Sequence, residues 1–211
     1  GDYLRCGAIA ANSPICRSVV AHAEKGGYAL GICNGFQALV NLGLLPGLDK
    51  EYTQRSVAIT YNDCGNFRDQ WVHLTANSKS PCVFTRGIDR ADFPVRHGEG
   101  KFIAGPDVLA SLQTGNQVVF QYADETGAPA DGVFPFNPNG SVQDIAGICD
   151  PTGNIFGLMP HPEAYNHVTN HPDWVREKQL KKRLGQTFEA RETIGIQLFR
   201  NGVDHIRERF L

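Results

Sequence analysis

Gly31-Ile32-Cys33-Asn34-Gly35-Phe36-Gln37 sets one thiol between two glycines, at the junction of an apolar run and a helical pattern. Tyr28 to Ile32 reads as a buried strand, and Phe36, Leu39, Val40 and Gly43 follow with the i, i+3, i+4, i+7 spacing of a short helix. A side chain at such a strand-to-helix corner stands clear of the sheet, and small flanking residues let backbone and substrate approach. The N–H groups and positive dipole end of the helix point at the sulfur and favour thiolate over thiol. That is the chemistry of an activated nucleophile. The plainer alternative is a small core residue, which is what most free cysteines are.

A second constellation is His161-Pro162-Glu163, directly after the apolar stretch Asn154 to Met159. A residue before proline is pushed towards extended geometry, and residues i and i+2 of an extended segment point to one side. Glu163 is thereby expected to bond one ring nitrogen of His161 and leave the other for a thiol. Cys33, His161 and Glu163 would form a triad of nucleophile, general base and acid, and orienter. A surface turn is the alternative for His-Pro-Glu by itself. Taken with Cys33, each half ends a predicted strand, where an open α/β sheet places its ligands.

The elements that must position these groups follow from the pattern. Ser13-Pro14 starts a helix whose apolar face is Cys16, Val19, Val20 and Ala23, and Gly26-Gly27 ends it. Ser56–Tyr61 and Gln70–Leu74 read as hairpin strands around a turn-rich loop, Asn62 to Arg68. Further strands are expected at 93–97, 118–122, 145–149 and 154–159, and helices at 173–184 and 194–210. Helices at both ends with strands between imply an α/β sandwich whose sheet carries added antiparallel strands. Tyr165 to Pro172 is the only candidate linker, so one domain spanning 1–211 with a helical extension from about 173 is expected. Gly1 to Gly7 reads as a loop, and the strand before Cys33 lacks upstream parallel neighbours. Earlier strands are therefore expected to be missing from the sequence shown.

Composition excludes several classes. Lys plus Arg is 20 and Asp plus Glu is 22, a net charge of −2, which gives no electrostatic case for nucleic acid or an anionic membrane. No apolar run approaches a membrane span and no signal-peptide pattern opens the chain. The six cysteines are scattered without a C-x-x-C pair, which fits reduced thiols in a cytoplasm better than disulfides or zinc. His167 and His171 lie in a polar loop with irregular spacing and read as surface histidines, not metal ligands.

Gly31 to Gln37 followed by Leu44-Leu45-Pro46-Gly47 resembles the class I glutamine amidotransferases. The Asn-Gly-Phe-Gln form is similar to the glutaminases of phosphoribosylformylglycinamidine synthases. Gly1-Asp2-Tyr3-Leu4-Arg5-Cys6-Gly7, Ser80 to Gly87, His97-Gly98-Glu99-Gly100-Lys101-Phe102, Phe136 to Ser141, Gly147 to Asp150 and Met159 to Glu163 add matches in order along nearly the whole chain. The resemblance implies a flavodoxin-like three-layer sandwich with a mostly parallel central sheet. It implies that Cys33 attacks the side-chain amide of glutamine to form a γ-glutamyl thioester, with His161 as base then acid and Glu163 as orienter. The Asn34 N–H becomes an oxyanion donor, beside Gly35. Gln37, Asn62, Phe67 and His97 become substrate-pocket residues, with a conformational role for His97 left open. The ammonia would pass to a synthetase subunit or fused domain, where ATP and Mg would reside, with a small accessory subunit as a further partner; no cofactor is implied in this chain. A second oxyanion N–H would come from a Gly-Gly loop upstream of Gly1. A glutaminase for another synthetase, or a non-catalytic relative, stays open at this point.

Overall fold

The computed structural model describes residues 4–189 and 191–210. The element order begins with α1 (Leu4–Ala11), α2 (Pro14–Glu24), β1 (Ala29–Ile32), α3 (Asn34–Asn41), β2 (Val57–Thr60) and β3 (Arg68–Ala76). It continues with β4 (Arg90–His97), β5 (Lys101–Ala104), α4 (Pro106–Thr114), β6 (Val118–Ala123), β7 (Ile145–Cys149), β8 (Ile155–Leu158), α5 (Trp174–Arg183) and α6 (Ile194–Phe210). Six strands form one sheet in the order β1-β8-β7-β6-β3-β4, and β2 pairs with β5 in a separate ribbon.

Two apolar clusters flank the six-stranded sheet and make the sandwich. On one side Phe36, Leu39 and Val40 of α3 pack with Leu109 and Leu112 of α4, Phe102 of β5 and Ile148 of β7. On the other, Leu198 of α6 packs with Phe93, Phe120, Phe156 and Leu158. Every residue of β7 and β8 is buried, so these strands read as unbroken apolar runs. Burying a side chain such as Phe36 or Phe156 contributes about 1.5–3 kcal/mol each.

Several sequence expectations are corrected. Only β1 and β8 pair in parallel, and the other pairs of the six-stranded sheet are antiparallel, so among the described residues the sheet is mixed and not mostly parallel. β2 and β3 do not form a hairpin: β2 pairs with β5, because the loop after β2 is pulled onto the turn after β4. β5 and α4 had no sequence expectation. The segment expected as a loop at the start is helical from Leu4; Gly1-Asp2-Tyr3 lies outside the described residues. Tyr165 to Pro172 is no linker either, since Val168 is buried and Tyr165 and His171 pack against Trp71.

The end of the chain splits into two unlike pieces. α5 buries no side chain, whereas α6 buries Gly195, Leu198 and Gly202 against the sheet side of the molecule.

Candidate active site

Cys33 lies between β1 and α3 and serves as the N-terminal cap position of α3, with φ 52° and ψ −106°. A non-glycine residue with positive φ costs of order 1–3 kcal/mol and persists where the surroundings enforce it. Here Gly31 does much of the enforcing. A Cβ at Gly31 would lie 2.7 Å from the carbonyl carbon and oxygen of Gly35 and 2.6 Å from Leu39 Cδ1, so only glycine lets the first turn of α3 sit this close to β1. By contrast, among the described residues a Cβ at Gly35, two positions after Cys33, would meet nothing within 4 Å. The first backbone bond of α3 is Gln37 N–H to Cys33 O, 3.1 Å, so the N–H groups of Asn34, Gly35 and Phe36 precede the helical ladder.

His161 follows β8 just as Cys33 follows β1, and these two strands are the parallel pair, with Ile32 opposite Leu158. His161 Nδ1 and Glu163 Oε1 are 2.5 Å apart. The contact is made differently from the extended i, i+2 geometry expected, because Pro162–Ala164 is a tight 3-10 turn with His161 at its cap. Burial pushes the Glu163 carboxyl up, but the His161 hydrogen bond and the charges of His161 and Arg96 outweigh it and hold it below its ordinary value. Glu163 therefore stays an acceptor and fixes a proton on Nδ1. The other ring nitrogen, Nε2, is buried and has no hydrogen-bond partner among the described residues.

Both halves are gauged by β4, of which only His97 was expected at the site from the sequence. Pro94 O of β4 accepts the His161 N–H at 2.8 Å, and Arg96 O lies 3.9 Å from the Cys33 sulfur. Residues i and i+2 of a strand present carbonyls to the same edge, about 6.5–7 Å apart. β4 is the last strand of the sheet, so the sheet must curl until this edge reaches the loops leaving β1 and β8. The signal available in the sequence was Pro94 itself, since a proline within a strand run marks an edge.

The remaining predicted residues gather around the turn after β4. Asn62 is buried: its Nδ2 donates to His97 O and Asn66 O, and its Oδ1 accepts from Gly100 N and contacts His97 Nδ1 at 3.1 Å. Gln37 is buried and braces α3 to this turn, with Nε2 donating to Glu99 O at 2.8 Å and Oε1 accepting from Asn34 Nδ2 at 2.9 Å. Phe67 is half exposed and lines a cavity of about 200 Å³ with Tyr61, Asn62, Gly65, Asn66, Gly98 and Glu99. His97 is fully buried and does not line this cavity, although its neighbours Gly98 and Glu99 do. Tyr122 belongs to the same neighbourhood. Burial raises its hydroxyl pKa, the Asn139 hydrogen bond opposes this, and negative charge at Cys33 raises it further.

Of the two histidines expected at the surface, His167 is exposed and His171 is less so. His171, read as a surface residue, is mostly buried and lies 3.6 Å from Asp92, which is itself 2.6 Å from His73 Nδ1. Among the described residues no group of three or more His, Cys, Asp or Glu could hold a metal ion. Among them, too, no helix is long and apolar enough to cross a membrane.

The arrangement is a thiol at a helix N-terminus and a carboxylate-oriented imidazole after the adjacent parallel strand. The CobB/CobQ-like glutamine amidotransferase domain matches residues 4–206. The chain belongs to this glutamine amidotransferase family. This amidotransferase is 42% identical over 185 residues to the phosphoribosylformylglycinamidine synthase subunit PurQ of Methanococcus maripaludis, covering 88% of the chain and 68% of the relative. It is 41% identical over 211 residues to the subunit of that name from Dehalococcoides mccartyi, covering 99% of the chain and 76% of the relative. Among solved structures it is similar to PurLQS from Thermotoga maritima, with TM-score 0.63 and 30% identity over 98% of this amidotransferase and 74% of that chain.

Proposed function

We propose that this chain is the glutaminase of a phosphoribosylformylglycinamidine synthase, with residues 1–211 acting as one glutaminase domain. Cys33 attacks the side-chain amide carbon of glutamine. His161 takes the thiol proton at Nε2 and returns it to the leaving nitrogen, which departs as ammonia. Water then attacks the γ-glutamyl thioester, His161 takes its proton for the returning thiol, and glutamate is released. Glu163 keeps His161 in the tautomer with Nε2 free and stabilises the imidazolium that forms. The N–H groups at the start of α3, that of Asn34 first, supply oxyanion stabilisation, and Gly35 leaves room for the substrate.

The observation that carries this reading is the His161–Glu163 contact, with Nε2 buried and unbonded, at the strand end next to Cys33. The cavity beside Asn62, Phe67 and Gly98 is where the amino-acid end of glutamine is placed, while Asn62, Gln37 and His97 hold its wall in shape. The subunit names of the relatives support a synthetase partner, separate or fused, with a small accessory subunit as a further member. That partner carries the ATP and Mg chemistry, and this chain needs no cofactor of its own. Among the described residues no disulfide forms, which accords with a cytoplasmic setting.

The test uses the complex with the synthetase. Cys33→Ala abolishes synthesis from glutamine and leaves synthesis from added ammonia intact. Retention of glutamine-dependent synthesis in that variant would contradict the assignment.

A further inference from the structure

The turn that carries His161 and Glu163 is held from behind by the start of α6. Thr193 immediately precedes this helix and is buried. Its hydroxyl accepts the Ile196 N–H at 3.4 Å, as an N-cap does, and donates to Tyr165 O at the exit of the turn. Two residues on, Gly195 lies directly under the turn. A Cβ there would fall 2.3 Å from Pro162 O and 2.4 Å from Tyr165 O, both backbone atoms that cannot rotate away. The turn is thus pinned at His161 N by Pro94 O and at its far side by Thr193 and Gly195. His161 Nε2 itself makes no hydrogen bond among the described residues, so the ring's position follows from these anchors of the turn together with the Glu163 contact at Nδ1.

We propose that Thr193 and Gly195 are positioning residues for the His161–Glu163 pair: they fix the height of the turn and with it the line from Nε2 to the thiol. Neither touches the cavity or Cys33. They act through backbone carbonyls on both sides of Glu163. A side chain at 195, or loss of the hydroxyl at 193, moves the turn by a fraction of an ångström to an ångström. Misplacement on that scale costs up to about 10²-fold in rate while leaving the glutamine pocket unchanged.

This inference rests on the triad reading, so the experiment runs Thr193→Val, Thr193→Ser, Gly195→Ala and Cys33→Ala side by side in the complex. Expected are a fall of about 10- to 10²-fold in glutaminase kcat for T193V and G195A, with KM within about twofold and ammonia-dependent synthesis unchanged. T193S, which keeps the hydroxyl, restores kcat. The inference is overturned if T193V and G195A keep wild-type kcat, if T193S is as slow as T193V, or if only KM rises. It is equally overturned if T193V and G195A both fail to fold, since positioning predicts folded, slow enzymes. Activity in C33A would sink the triad reading itself, whereas an inactive C33A beside a fully active T193V sinks only the positioning role.

Discussion

Cys33 and Cys149 are both buried thiols at the C-terminal ends of strands, β1 and β7. Their surroundings differ in every other respect. Cys149 faces Cys82 and Ser80; the Cys82 hydrogen bond first, then burial, push its thiol well above the ordinary value and keep it protonated. Cys33 instead stands at positive φ at the start of a helix, next to the strand end that carries His161. Strand-end placement and burial are common to both thiols; the helix N-terminus and the neighbouring oriented imidazole belong to Cys33 alone and are the grounds on which it is proposed as the nucleophile. The same contrast applies to carboxylate–histidine pairs. His73–Asp92, at 2.6 Å, matches the geometry of His161–Glu163, but it lies across β3 and β4 with no thiol assigned to it.

The comparison is broken most directly by exchanging which thiol is lost. Cys33→Ala removes all glutamine-dependent synthesis, while Cys149→Ala keeps it and costs only about 1 kcal/mol of stability, read by denaturant titration. A C149A variant as inactive as C33A would erase the distinction. Glu163→Gln comes next. It keeps the shape but loses the charge that holds the His161 tautomer, and glutaminase kcat should drop about 10²-fold. An unchanged kcat would mean that His161 needs no orienter.

Asp92→Asn is the mildest test and concerns stability. The Asp92 hydrogen bond raises the His73 pKa over the opposing effect of burial. For Asp92, burial acts upward, but the bonds from His171 and His73 outweigh it and hold the carboxyl far below its usual range. The His73 contribution is complete below its unfolded pKa of about 6.5 and is lost as pH rises through the higher folded value. The Asp92 contribution is complete above about pH 4 and is lost as pH falls through its lowered folded value. The melting-temperature gap between wild type and D92N should therefore be widest between about pH 4 and 6.5, and narrow on either side. Because both side chains are 39% exposed, the gap at its widest corresponds to about 1 kcal/mol or less, or about 2–4 °C. A gap that grows above pH 8 would contradict the pairing. Glutaminase kcat should not follow it.

Local features were legible in the sequence wherever one short segment held all the information. The Cys33 elbow, the ends of α2, α5 and α6, and the His161–Glu163 contact depend on residues a few positions apart. Features set by distant pairing were not. The choice of β5 as partner of β2 depends on Asn62 reaching His97 and Gly100, some 35 to 38 residues away. The partial burial of His171 depends on Trp71 and Asp92. The gauge formed by Pro94 and Arg96 depends on the curl of a whole sheet, which no local period encodes. Even the His-Pro-Glu contact came by a tight turn in place of an extended segment, because α6 packs against that turn.

The central claim is that one thiol of six is activated for attack on glutamine. Its most direct measurement is reaction of the protein with a glutamine analogue bearing an electrophilic γ-carbon, followed by intact-mass and peptide mapping. Expected are a single adduct on Cys33, protection by glutamine, and a marked loss of labelling rate in Glu163→Gln. An adduct on Cys149 or Cys64, or equal labelling of several cysteines with no protection by glutamine, would contradict it.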